Sequence, residues 1–234
     1  MKSYVLSMTM NILVIMSSFG EIKNGYEIQI TIARRELKII NELVVNDPNL
    51  SSRQRHELKA KTRTLKNIIE YYELTEQLIS LFRTISPDLY HSIDTIEDCK
   101  GRPVDVYIRF IPIAEMKGSV AGTTNISQAE NDEDAYYSKY GLNTVSVTIT
   151  AIKQSLILLA HEFGHISYQV PHLRAYVKFY FKCYKNRDDD SREIGHDPND
   201  PSGQNAKAYV DRFYPQYLRF LKNKDKKVKI PIGI

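Results

Sequence analysis

Tryptophan is absent from the 234 residues, cysteine occurs twice, and no uninterrupted apolar run is long enough to cross a membrane. Each shortage excludes something. Cys99 and Cys183 stand far apart with no CxxC or zinc-knuckle spacing, which rules out a disulfide-stapled mini-domain and a thiolate zinc site. Two states stay open for them: a single disulfide in an oxidising compartment, or two unpaired, partly buried thiols. There is no internal repeat and no low-complexity run, so solenoid architectures are out. Lysine and arginine exceed aspartate and glutamate by only 32 to 28, a balance too even to argue for nucleic acid. The one obvious basic cluster is the tail "KNKDKKVKIPIGI", which a solvated terminus explains as well as an acidic partner does.

What is present is the material of one globular domain, or one domain with a helical extension. The chain is long enough to bury a sizeable core, and its 42% hydrophobic and 26% charged residues are ordinary for such a protein. The sixteen tyrosines are scattered, as expected of packing residues with a wet hydroxyl. Residues 1–20 have the layout of a secretory signal peptide: Lys2, an apolar run, and Ser18-Phe19-Gly20 as a small-x-small cleavage signal before Glu21. On that reading the protein is secreted or periplasmic, with no stable membrane insertion after cleavage. The other reading is a buried strand or helix opening the fold of a cytoplasmic protein.

Residues 21–100 read as helical. A helix is expected from about 27 to 45, and "NDPN" breaks it. Ser51 and Gln54 form a capping-box pattern ahead of a long charged helix running towards Ile85, with Leu65, Ile68, Ile69, Tyr72 and Leu78 on one side. Two helices joined by a short turn imply an antiparallel hairpin. His56 and His91 fall in this region as surface residues.

Strand patterns take over after Gly101. "VDVYIRFIP" alternates Val104, Val106, Ile108 and Phe110 with polar positions, and "NTVSVTIT" does the same with Val145, Val147 and Ile149. The acidic stretch "AENDEDAYY" between them matches no EF-hand spacing and reads as a solvated loop. A helix starting near Ala151 then places Ile152, Leu156, Leu159, Phe163 and Ile166 on one face, with Pro171 ending it. "LRAYVKFYFKCYKN" is a further helix, "RDDDSREIGHDPNDPSGQ" a polar loop, and the last helix, carrying Ala206, Tyr209, Val210, Phe213, Tyr217 and Phe220, is expected to be interrupted at Pro215.

The chemistry sits in "LILLAHEFGHISYQV". Positions four apart on a helix point the same way, so His161 and His165 can offer two imidazole nitrogens at about 2.0–2.1 Å from one zinc. Glu162 projects beside such a metal and can take a proton from a zinc-bound water, whose pKa is lowered towards ~7. The run His161-Glu162-Phe163-Gly164-His165 resembles the HExxH signature of the zincin metallopeptidases, over roughly residues 101 to 222. The resemblance implies an α+β protein: a zincin-like core of mixed sheet and active-site helix in residues 101–234, with a basic C-terminal tail, behind the helical hairpin. It also implies hydrolysis of peptide bonds in a peptide or protein substrate, with Zn2+ as cofactor and Glu162 as general base.

A third ligand is not fixed by the motif. The metzincin pattern fails, because Tyr168 and Pro171 stand where its Gly and His would be, with His172 one place out. The gluzincin pattern wants a helical glutamate, and Glu193 lies in a loop; the aspartate-type zincin run is absent. His196, in the Gly- and Pro-punctuated turn "EIGHDPNDPSG", is the best candidate, with Asp197, Asp200 and Asp211 competing. Asp200, before Pro201, is more simply a helix N-cap. His172 and Tyr209 are candidates for an oxyanion donor, and "NTVSVTIT" for an edge strand that pairs with an extended peptide. Two rivals remain: a catalytically inactive zincin-fold binding module, effector or toxin, and a metal-free helical protein with an accidental motif.

Overall fold

A computed structural model of the chain describes residues 20–111, 122–125, 144–150, 155–173, 175–176 and 199–223. The elements are β1 (Ile22–Asn24), α1 (Glu27–Asn46), α2 (Ser52–Ile85), α3 (Pro87–Asp94), β2 (Asp105–Ile111), β3 (Gly122–Asn125), β4 (Thr144–Thr150), α4 (Ser155–Gln169) and α5 (Pro201–Asn223). The protein is α+β. No helix among the described residues is long and apolar enough to cross a membrane.

The capping box at Ser51 forms as the sequence implies. Ser51 Oγ accepts from the Gln54 backbone N–H, and Gln54 Oε1 accepts from the Ser51 N–H at 2.9 Å, so two orphan donors at the start of α2 are satisfied. α1 and α2 form the expected antiparallel hairpin: Glu36 meets Lys61 at 2.9 Å midway along α1, while Tyr26 meets Tyr71 near the base. Pro87 both ends α2 and opens α3 at a first-turn position, so "SPD" is a change of direction and not a loop.

The sheet has the order β1-β2-β4-β3, with β1, β2 and β4 parallel and β3 antiparallel to β4. Register pairs Val106 with Val145, Ile108 with Val147 and Phe110 with Ile149, so the apolar alternations of β2 and β4 face the same side. That side is the core. Val106, Ile108, Val147 and Ile149 are fully buried against Phe82, Leu89, Ile93, Leu159, Phe163, Ile166 and Phe213 from the helices. Phe82 meets Phe163 edge-on at 4.9 Å and stacks on Phe213 at 4.7 Å, an aromatic knot where α2, α4 and α5 converge. This apolar cluster draws on residues from both sides of residue 100.

Several expectations change. β4, "NTVSVTIT" without its first residue, is no edge strand: it is paired on both sides, and the edges are β1 and β3. Pro215 does not interrupt the last helix, which runs through it. Pro215 is on the exposed face, so the carbonyl deprived of its N–H partner can be met by water. Cys99 is exposed rather than partly buried. Residues 1–19, most of "LRAYVKFYFKCYKN" with Cys183, the acidic stretch and the basic tail from 224 lie outside the described residues.

Candidate metal centre

α4 runs through the motif with its two faces used as the pattern implies. Leu156, Leu159, Phe163 and Ile166 enter the core, and the next face carries the polar groups. His165 and Glu162 are nevertheless buried, at 8% and 5% exposure, because β3 and α5 close over that face. A buried, polar, ionisable pair on an otherwise apolar helix demands partners.

The partners are specific. His165 Nε2 stands 3.0 Å from His161 Nε2, the two rings near perpendicular at 85°. His165 Nδ1 meets Ser202 Oγ at 2.7 Å, and Gln169 Nε2 donates to the same oxygen at 2.7 Å. Thr124 Oγ1 donates to Glu162 Oε2 at 2.5 Å. On the other oxygen, Gly122 approaches so closely that a Cβ there would lie 2.8 Å from Glu162 Oε1. Burial pushes the Glu162 carboxyl up to about 7, while the hydrogen bond from Thr124 acts in the opposite direction.

Glycine inside a helix normally weakens it, and Gly164 is explained by α5. A Cβ on Gly164 would lie 2.4 Å from Ala206 Cα, so the two helices cross at backbone contact. Asn205 Nδ2 donates to the Gly164 carbonyl at 2.7 Å and also reaches Ser167 Oγ, locking the crossing. Gly164 is therefore the motif residue that lets α5 reach His165.

No family model, curated protein or solved structure matches the chain. Its site is read from its own geometry.

Of the residues singled out from sequence, the structure brings His161 and His165 together and sets Glu162 of α4 against β3. Asp200 does cap α5: its Oδ1 accepts from the Ser202 N–H at 2.8 Å. Asp211 is exposed and lies nine residues beyond Ser202, roughly 13 Å along the helix axis, too far to join the pair. His172 is exposed, its ring stacked on Tyr168 at 4.9 Å and its Nδ1 set against the Tyr168 carbonyl. The Tyr209 hydroxyl is taken up by Ser92 Oγ at 3.0 Å, a tie between α3 and α5. Glu193, His196 and Asp197 lie outside the described residues; His56 and His91 are exposed, as expected. Sequence reasoning missed Ser202, Gln169 and Thr124. Gln169 sits one turn after His165 on the same helix and was legible by spacing; Thr124 carried no signal.

Among the described residues, no three His, Cys, Asp or Glu side chains converge as a metal-holding group. The residues present still fit a zinc ion. Two nitrogens bound tetrahedrally at 2.0–2.1 Å would stand about 3.3 Å apart, close to the 3.0 Å between the two Nε2 atoms. The Nδ1 partner of His165 is the kind of outer hydrogen bond that orients a metal-bound imidazole.

Proposed function

We propose that the chain is a zinc-dependent metallopeptidase with a zincin-like core in residues 101–234. The observation that carries this reading is the convergence of the His161 and His165 Nε2 atoms, with Glu162 buried on the same helix and held from the edge strand.

His161 and His165 would hold the metal, with His196 as third ligand. A zinc held there would supply a Lewis acid that brings a water towards neutral pKa, ~7. Glu162 would serve as general base towards the attacking water and then as proton donor to the leaving amine of the cleaved peptide bond. Thr124 keeps one carboxyl oxygen engaged, so the other faces Gly122, where no side chain intervenes. β3, and not β4, is the edge nearest Glu162: among the described residues its outer side carries no strand, and an extended substrate segment can pair there. The substrate is a peptide or protein, and no nucleic-acid partner is implied.

The test is metal analysis of protein purified without added zinc, followed by peptide cleavage with and without a chelator. The expected outcome is about one zinc per chain, with hydrolysis lost on chelation and restored by zinc. Protein without zinc would sink the reading; zinc without hydrolysis of any peptide would favour the inactive binding module.

A further inference from the structure

We propose that Ser202 is the positioning residue of the His165 ligand, selecting the ring tautomer that turns Nε2 towards the metal. The proposal rests on the zinc reading above. It goes beyond the ligand set, because Ser202 lies 37 residues from His165 on a different helix and belongs to no part of the motif.

The argument starts from what a hydroxyl can do. Serine Oγ has two acceptor lone pairs and one hydrogen. Gln169 Nε2 can only donate, so it occupies one lone pair of Ser202. A metal-binding Nε2 must be unprotonated, which leaves the proton of the neutral ring on Nδ1. That Nδ1–H then donates to the second lone pair of Ser202, across the 2.7 Å contact. His165 and Gln169 are four residues apart on α4, so they grip the same oxygen from successive turns.

The oxygen is itself held in place from α5. Asp200 Oδ1 fixes the Ser202 N–H at 2.8 Å, and Asn205 and Ala206, three and four residues on, clamp the same face of α5 to Gly164. Ser202 is buried completely, so no water competes for its lone pairs. A hydroxyl in this role is also neutral. It orients the ring without the added basicity that a carboxylate partner would give.

The experiment compares zinc affinity, by competition with a chelating indicator, in the full chain and in Ser202→Ala and Thr75→Ala. Thr75 is as completely buried as Ser202 but lies on α2, where its hydroxyl meets the Tyr71 carbonyl and the Phe110 N–H, away from the α4–α5 crossing. Ser202→Ala should weaken zinc binding roughly 10–100-fold, while its metal-free melting temperature falls no further than that of Thr75→Ala. Thr75→Ala should leave zinc affinity within about twofold, being outside the ligand's hydrogen bonds. Nitrogen-15 spectra of the zinc-loaded parent should show His165 protonated at Nδ1, with that proton protected from exchange; this readout stands even if Ser202→Ala fails to fold. Parental zinc affinity in Ser202→Ala, or an unprotonated Nδ1 in the parent, overturns the assignment of Ser202 alone. A parent chain that binds no zinc overturns the peptidase reading instead.

Discussion

The helical hairpin and the sheet-and-helix body are built on opposite economies of burial. The body hides large side chains completely, Phe82, Phe163 and Phe213 among them, and hides Glu162 and His165 with them. The hairpin's own apolar cluster buries just Ala33, Ile40 and Leu65, with Leu37, Leu58, Ile68 and Ile69 packed around them. On its outer side α1 leaves Ile28, Ile32 and Ile39 more than half exposed. Its ion pairs, Lys61–Glu36, Lys38–Glu42 and Arg53–Glu57, are on the surface and contribute at most about 1 kcal/mol each. Helix α2 belongs to both regions: Leu65 serves the hairpin, while Leu78, Phe82 and Ile85 serve the body. The buried polar geometry around Glu162 and His165 sits in the part of the molecule where close packing can hold it.

That contrast can be broken by experiment. The largest effect is expected at Glu162. Glu162→Gln should reduce peptide hydrolysis by roughly 10²–10⁴-fold while zinc stoichiometry is unchanged, since the side chain is proposed as base and not as ligand. Loss of zinc in that variant would move Glu162 into the ligand set.

Next comes Phe82→Ala, which removes the centre of the aromatic knot. It should cost about 3–5 kcal/mol in denaturant unfolding and weaken zinc binding in parallel, because α4 and α5 both lean on that ring. Leu65→Ala should cost less, about 2 kcal/mol at the low end for such a truncation, and leave zinc affinity at the parental value. A Leu65 variant that lost zinc would show that hairpin and body are one cooperative unit. The smallest effect is expected at the start of α2, where Ser51→Ala removes half of the capping box. About 1 kcal/mol or less is expected, visible as faster amide exchange near Gln54 and absent from the body.

Much of this was legible in the sequence, for reasons of local chemistry. The capping box at Ser51, the alternation of β2 and β4, the core face of α4 and the i, i+4 histidines are all patterns with a short period. What was not legible is what depends on distant partners. "GTTN" is short, and its Gly and Asn are poor strand formers, so β3 exists because β4 offers it a ladder. The interior place of β4 follows from its pairing with β2, which no alternation encodes. Ser202 reaches His165 only because Gly164 admits α5, a fact about two helices crossing. Pro215 sits in a turn that faces outward, a placement no local pattern encodes, so its helix-breaking tendency is not realised.

The parallel pairing of β1 with β2 sets an order of events during synthesis. Glu21 and Asp105, hydrogen-bonded at this seam, are 84 residues apart in the chain. At about 5–20 residues per second, β1 leaves the ribosome roughly 4–17 s before its partner strand exists. The hairpin needs only its own short turn and can form in that interval, whereas the loop that joins β1 to β2 must be closed first. Ile22 and Asn24, both buried in the finished protein, spend those seconds without a strand to pair against. The strand that opens the described fold is thus secured later than the hairpin that follows it in the chain.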